Sequence, residues 1–270
     1  MGNTWQTNNK EGFTLVELVV VIVIIGILSA LGGKLILAPV SNYVDLNRRA
    51  QLVDQAEMAM RRMQRDIRQA LPNSIRIDSN GRYLEMLSVV AGGRYRNYPD
   101  PASGGDVLDF TQVDTGFDVL GSLSRVPGVG QRLVVYNVSS TGSSGNAYAA
   151  GADNTAIIGG GTTADYINLS PAFHFANSSP YQRFFVVDQP VTYACEGGVL
   201  NRYSSYAISQ IQPTSSLNSP ALVATHIASC RFSYDPGASQ RAGLVTLELS
   251  LSEEGETITL LHQVHVVNTP

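Results

Sequence analysis

The feature that most constrains this chain is an apolar stretch near its start, KEGFTLVELVVVIVIIGILSALGGKLI, at residues 10–36. Residues 18–33 carry no charged side chain, and extending the run to Val40 adds only Lys34. A helix of about 20 mainly apolar residues can cross a bilayer, so residues 13–40 are predicted to form a membrane-spanning helix. Glu17 lies inside this run, although a carboxylate costs about 2.5–3.5 kcal/mol at the middle of a bilayer.

Three interpretations of this stretch compete. A cleaved secretory signal needs a basic start and a small-residue cleavage site, whereas here Lys10 is followed by Glu11 and a carboxylate lies inside the apolar run. An ordinary single-pass anchor leaves Glu17 unexplained. In the third interpretation, the residues GFTLVE at positions 12–17, with the long apolar run behind them, resemble the signal of type IV prepilins.

This resemblance implies how the segment is processed and used. Residues 1–12 would be a leader peptide, which prepilin peptidase removes by cutting between Gly12 and Phe13 before the new amino group of Phe13 is methylated. Glu17 would then act in subunit assembly, paired with the N-terminal amine of a neighbouring subunit. The leader departs from the family pattern because it has a single basic residue and places Glu11 beside the cut.

The orientation of the segment follows from the resemblance and not from charge counting. Lys34, Arg48 and Arg49 follow the apolar run and only Lys10 precedes it, so the positive-inside rule alone would place the large domain in the cytoplasm. The resemblance implies a single pass through the inner membrane, a periplasmic C-terminal domain and later incorporation into a pilus. The implied partners are prepilin peptidase, other major and minor pilins, the inner membrane and the pilus assembly machinery.

The chain contains two cysteines, Cys195 and Cys230, which are too few for a four-cysteine zinc site. Outside the cytosol they would most simply form one disulfide. The alternative is a pair of free, buried thiols.

Residues 41–71 are predicted to continue as an amphipathic helix, loosened or kinked near Gly32, Gly33 and Pro39. Apolar residues recur at helical spacing along one stripe: Val53, Ala56, Met60, Met63, Ile67 and Ala70. Four arginines, Arg61, Arg62, Arg65 and Arg68, occupy the other side. They form either a solvated face or a subunit contact, and Pro72 is expected to end the helix.

Residues 72–270 are predicted to form a β-rich domain. Candidate strands lie at 74–77, 83–87, 132–137, 184–188, 190–195, 200–208, 230–234, 244–252 and 257–267. A Gly- and Ser-rich stretch at 139–165 is predicted to be a long surface loop or an embellishment. The prediction is therefore an α+β, pilin-like fold, in which a long N-terminal helix with a membrane-embedded first half packs on an antiparallel sheet.

Two later stretches, VTYACEGGVLNRYSSY and ETITLLHQVHVVNTP, resemble a group of minor pilins. This group includes the O-type component of the mannose-sensitive haemagglutinin (MSHA) pilus and, more distantly, the J-type pseudopilin of type II secretion. The resemblance implies a minor pilin that acts in assembly, initiation or tip capping of a type IV pilus. A secretion pseudopilin and a glycan-binding tip adhesin are the alternatives.

No catalytic motif, cofactor site or metal site is predicted, so we expect a protein that is not an enzyme. His262 and His265 are three residues apart on a candidate strand and should face opposite sides. Four aspartates in residues 106–118 suit either a solvated loop or calcium, but they lack EF-hand spacing. A net charge of −4 gives no support for nucleic-acid binding.

Overall fold

The computed structural model describes residues 12–102, 104–237 and 242–270, and the side chains of residues 31–42 are left out of the description. The chain divides into two compact units, Met1–Gln51 and Leu52–Pro270. It contains one helix, α1 (Leu15–Arg68), followed by twelve strands within the described residues. The strands are β1 (Arg76–Ile77), β2 (Tyr83–Arg94), β3 (Asp114–Asp118), β4 (Arg132–Val135), β5 (Thr155–Ile157), β6 (Tyr166–Phe173), β7 (Arg183–Glu196), β8 (Val199–Tyr203), β9 (Ala221–Ala224), β10 (Ile227–Asp235), β11 (Gly243–Glu253) and β12 (Glu256–Val266).

The part of α1 inside Leu52–Pro270 buries the apolar stripe that the sequence predicts. Ala56, Met63 and Ile67 are each 0% exposed, because residues three and four apart lie on the same helix face. Leu52 and Ala59 extend the buried face, while Val53 is only partly buried at its margin. The kink predicted at Gly32, Gly33 and Pro39 lies in the stretch whose side chains are not described.

All the strands pair antiparallel, in three sheets. The largest has the order β1-β2-β7-β4-β5, with β8 also pairing with β7 and β9 with β8; β10-β11-β12 and β3-β6 form the other two. This confirms the α+β arrangement and is consistent with the predicted pilin-like fold.

The long strand β7 replaces the two separate strands predicted at 184–188 and 190–195. One edge of β7 pairs with β2 along most of its length, with two register shifts between Leu87 and Ala91, while the other pairs with β4 at residues 184–187 and with β8 at residues 192–196. Pro190 falls between these two partners. Proline has no N–H to donate to a neighbouring strand, so the interval between β4 and β8 is where β7 can accommodate a proline.

Two hydrophobic cores lie within Leu52–Pro270. The helix core joins α1 to the sheets through residues such as Tyr193, Phe232 and Leu249. The strand core is built around aromatic side chains, among them Tyr95, Phe117 and Phe184. A smaller cluster containing Leu71, Leu87 and Tyr148 adds to this buried apolar interior.

Two-residue turns close two tight hairpins. Glu254 and Gly255 connect β11 to β12, and Gly197 and Gly198 connect β7 to β8. All four residues have positive φ, as a type I′ hairpin turn requires. The β11–β12 hairpin therefore has the register expected from its alternating sequence.

The structure corrects several predicted boundaries. Strand β1 is shorter than residues 74–77, β2 extends beyond residue 87, and β8 ends at Tyr203 instead of residue 208. Residues 139–165 are not a surface loop throughout: Tyr148 is 2% exposed, and the stretch includes β5. Small residues such as Ala147 and Ala156 are buried there. The Gly- and Ser-rich composition therefore did not indicate the apolar contacts that this stretch makes. Strands β3, β5, β6 and β9 were not predicted.

Candidate processing and assembly site

The junction between Gly12 and Phe13 is open. Both residues precede α1 and are exposed, with Phe13 at 80%. A Cβ atom built on Gly12 would meet no heavy atom within 4 Å, and Gly12 has no positive φ. The described structure therefore imposes no steric need for glycine at this position.

Thr14 and Glu17 form the N-terminal cap of α1. The backbone N–H of Glu17 donates to Oγ1 of Thr14 over 3.3 Å. Thr-x-x-Glu is the sequence of a capping box, and a carboxylate in the first turn also interacts favourably with the helix dipole. Glu17 thus has a local role at the helix start, which the sequence analysis did not identify.

The first part of α1 presents apolar side chains on all sides. The large apolar residues described between Leu15 and Leu28 are all exposed, from 43% at Val21 to 80% at Leu15. A helix that is apolar all round belongs in the interior of a protein assembly or in a membrane. Over the residues whose placement is described, no helical stretch combines the length and the apolar character needed to span a membrane.

These features coincide with a known motif. Residues 7–32 match the prokaryotic N-terminal methylation motif, which is typical of precursors of type IV pilins and pseudopilins. The match confirms a type IV prepilin-like signal within these residues. No curated protein and no solved structure matches the chain significantly.

Cys195 and Cys230 form a disulfide that joins the C-terminal end of β7 to β10. Its Cα atoms are 6.4 Å apart. Because β7 and β10 belong to different sheets, the bond links two layers that pack on the helix core.

A buried ionic cluster centres on Arg76 and Glu85, which form an ion pair across β1 and β2. Tyr206 donates a hydrogen bond to Oε1 of Glu85 at 3.1 Å. The Arg76 guanidinium also stacks over the Tyr148 ring, 3.7 Å from its centroid. Burial raises the pKa of Glu85, against the opposing effect of Arg76 and Tyr206. The sequence offered no signal for this cluster, since Tyr148 and Tyr206 are distant along the chain from Arg76 and Glu85.

A second cluster holds α1 against the largest sheet. Asp66 Oδ2 accepts a hydrogen bond from Arg202 Nε at 2.7 Å and another from the Tyr193 hydroxyl at 2.8 Å. Burial raises the pKa of Tyr193, and the nearby Asp66 carboxylate raises it further. These contacts fix which face of the helix is turned towards β7 and β8.

The aspartates in residues 106–118 shape their own segment. Asp118 pairs with Arg96 at 3.3 Å, and Asp114 accepts from the backbone N–H of Asp109 at 2.8 Å. The Thr111 hydroxyl and backbone N–H hydrogen-bond to Asp109 and lower its pKa. Across the described part of the chain, no group of His, Cys, Asp and Glu side chains comes together in a way that could hold a metal ion.

The histidines do not converge. His174 Nε2 lies 3.0 Å from the Phe110 carbonyl oxygen, and His226 Nε2 lies 3.5 Å from a carboxylate oxygen of Glu253. His262 lies opposite core-facing Leu247 in the β11–β12 ladder, whereas His265 is exposed. The prediction that His262 and His265 face opposite sides is therefore confirmed.

Proposed function

We propose that the chain is a minor pilin of the MSHA type, which acts in assembly, initiation or tip capping of a type IV pilus. The observation that carries this proposal is the methylation motif at residues 7–32. Its expected cleavage junction, Gly12–Phe13, is open and is followed directly by a helix with exposed apolar side chains on all sides. The role is structural and involves no catalysis.

In the proposed pathway, residues 13–40 anchor the precursor in the inner membrane and residues 72–270 fold in the periplasm. The disulfide supports this location, because disulfides persist in the bacterial periplasm. Prepilin peptidase then cuts after Gly12, and the amine of Phe13 is methylated. Residues 41–71 continue the helix into the folded domain.

Assembly then places the apolar helix among the helices of other pilins. Outside the bilayer, the bundle keeps exposed side chains such as Ile22 and Leu28 out of water, whose contact would cost about 25 cal/mol per Å² of apolar surface. Glu17 pairs there with the Phe13 amine of a neighbouring subunit. In a low-dielectric bundle this attraction is strong, and either charge left alone is costly.

The processing step is tested by expressing the full chain with and without a prepilin peptidase and measuring the intact mass. The expected product lacks residues 1–12 and carries one methyl group on Phe13. Gly12→Val should remain uncleaved, whereas the matched control Gly26→Val should be processed, since both glycines have open space around them. Normal cleavage of Gly12→Val at the same bond would contradict the proposed junction.

Deletion of the gene distinguishes the minor pilin from its alternatives. Loss of pili that is restored by the native chain supports the pilus role. Intact pili with loss of secreted proteins would instead indicate a type II secretion pseudopilin. Normal pili that no longer adhere to surface glycans would indicate a tip adhesin.

A further inference from the structure

Three arginines converge on one groove within Leu52–Pro270. Arg68 is the last residue of α1, Arg125 lies between β3 and β4, and Arg183 begins β7. They line an open groove of about 580 Å³. Arg68 and Arg125 are exposed, and Arg183 is half-buried.

No carboxylate lies among the residues that line this groove. Arg183 donates to Oγ1 of Thr269 at 3.2 Å and stacks on Tyr181, and neither of these side chains is an acid. In the described part of the chain, none of the three arginines forms an ion pair. The groove therefore concentrates positive charge on a protein whose net charge is −4.

The floor of the groove contains an open strand edge. The outer edge of β2 is occupied at Val89, whose N–H donates to Gln69, and again at Arg94, which accepts from Leu120. Between these bonds, residues 91–93 pair with β7 on one side, Val90 lies at a register shift, and the other edge of residues 90–93 meets no strand among the described residues. Unpaired backbone groups of this kind are a template for an added strand.

The occupant cannot come from the undescribed parts of this chain. Residues 1–11, 103 and 238–241 contain a single carboxylate side chain, Glu11. A ligand that matches the groove needs several negative charges and an extended backbone. Arginine suits this purpose because its planar fork binds carboxylates with two parallel hydrogen bonds.

We propose that the groove lined by Arg68, Arg125 and Arg183 binds an extended acidic peptide segment of a partner protein, which adds a short strand to the outer edge of β2 at residues 90–93. Glutamate or aspartate side chains of the segment pair with the three guanidinium groups. Phe185 and Val90 contact its apolar positions. This docking is independent of the proposed processing at Gly12, because it uses only residues of the folded domain.

The test uses the full chain in mild detergent and a fluorescein-labelled peptide of alternating glutamate and threonine, with binding measured by fluorescence anisotropy. We expect saturable binding that weakens as salt rises, since partly exposed charge pairs are screened. The variant R68Q/R125Q should weaken binding by about threefold to tenfold, and adding R183Q should weaken it further, because each exposed ion pair contributes about 0.2–1 kcal/mol. Arg231→Gln, an exposed arginine on β10, is the matched control and should bind as the native chain does.

Two further peptides separate charge from strand pairing. An alternating glutamine and threonine peptide should not bind, and an acidic peptide with N-methylated backbone amides should bind at least about tenfold more weakly, because it loses backbone hydrogen bonds. Equal binding of the N-methylated peptide would overturn the added strand. Absence of binding, or equal binding to the triple variant and to the native chain with unchanged circular dichroism, would overturn the groove as the site. Tighter binding of a sulfated polysaccharide at the same arginines would also overturn the peptide assignment.

Discussion

Nε of Arg76 lies 2.6 Å from Oε2 of Glu85, with the two side chains 9% and 0% exposed. The other guanidinium nitrogens of Arg76 donate to the carbonyl oxygens of Ser209 and Gln210, each at 2.8 Å. This one arginine therefore connects β1 and β2 to the segment that follows β8. Its position explains how a stretch with no strand of its own is held on the domain.

Arg76→Met should lower the free energy of unfolding of the domain by about 3–5 kcal/mol, because it leaves the buried Glu85 without its ionic partner. Unfolding of the full chain in mild detergent, followed by near-UV circular dichroism in urea, measures the change. Arg231→Met, at an exposed arginine, should change the stability by less than about 0.5 kcal/mol. Similar small effects for both variants would show that the buried ion pair does not hold the segment.

Acid stability should depend on Glu196. Hydrogen bonds from Tyr203 and then from Tyr83, opposed by partial burial, lower the pKa of Glu196 below its ordinary value of 4.5. A lowered pKa in the folded state stabilises the fold above the unfolded pKa, and this contribution is lost as pH falls through the folded value. Tyr203→Phe should therefore be less stable than the native chain near neutral pH, and the difference should shrink below about pH 4.

The pH series is measured as thermal unfolding of the full chain in detergent. Tyr98→Phe is the matched control, since Tyr98 is 75% exposed, and it should show no pH-dependent difference from the native chain. A Tyr203→Phe deficit that stays constant down to the acid limit would mean that Glu196 keeps its ordinary pKa.

Loss of the disulfide should destabilise the domain by about 3–4 kcal/mol. This is the free energy expected from the loop-closure entropy that the bond removes from the unfolded chain. The sequence separation of Cys195 and Cys230 is 35 residues. Cys195→Ser, Cys230→Ser and the double variant should lower the melting temperature equally, and reductant should lower that of the native chain alone. Unequal effects of the two single variants would point to a separate role for one thiol.

Glu17 should matter through its charge and not only through the helix cap. Glu17→Gln keeps the side chain that a capping box uses, yet it removes the negative charge that the proposed pairing with Phe13 requires. We expect Glu17→Gln to insert in the membrane and to be processed, but to be recovered poorly in sheared pili.

Thr14→Val is the control for the cap. It removes the hydroxyl that accepts from the Glu17 N–H, which costs about 1 kcal/mol of helix stability, but leaves the charge in place. If Thr14→Val lost incorporation as severely as Glu17→Gln, capping would explain the phenotype and the pairing would be wrong.

Local periodicity predicted a large part of the fold. The stripe through Ala56, Met63 and Ile67 is buried as expected, and the strands predicted at 244–252 and 257–267 lie within β11 and β12, apart from Val267. These features depend on residues near one another in sequence. Strands β3, β5 and β9 escaped prediction because they have only five, three and four residues, and the eight-residue β6 contains Pro171, which is unusual inside a strand.

The proposed processing and assembly site comes from the sequence, because its residues lie within one short stretch. The resemblance of this stretch to type IV prepilin signals assigns the roles of Gly12, Phe13 and Glu17, and these roles stay predictions. The capping of α1 by Thr14 could also have been inferred from its Thr-x-x-Glu pattern. The arginine groove could not, since Arg68, Arg125 and Arg183 come together only when α1, the segment before β4 and β7 pack as one unit.

The sequence by itself determined the apolar helix, the carboxylate near its start and the class of signal, since these depend on composition and on short, fixed distances along the chain. Only the tertiary structure decided which polar residues would be buried together, as with Arg76 and Tyr148. It also decided which charges have no ionic partner among the described residues, as with Arg68 and Arg125. The physical reason is that the energy of a charge depends on its solvation and its neighbours. Both are set by contacts between residues far apart in the chain.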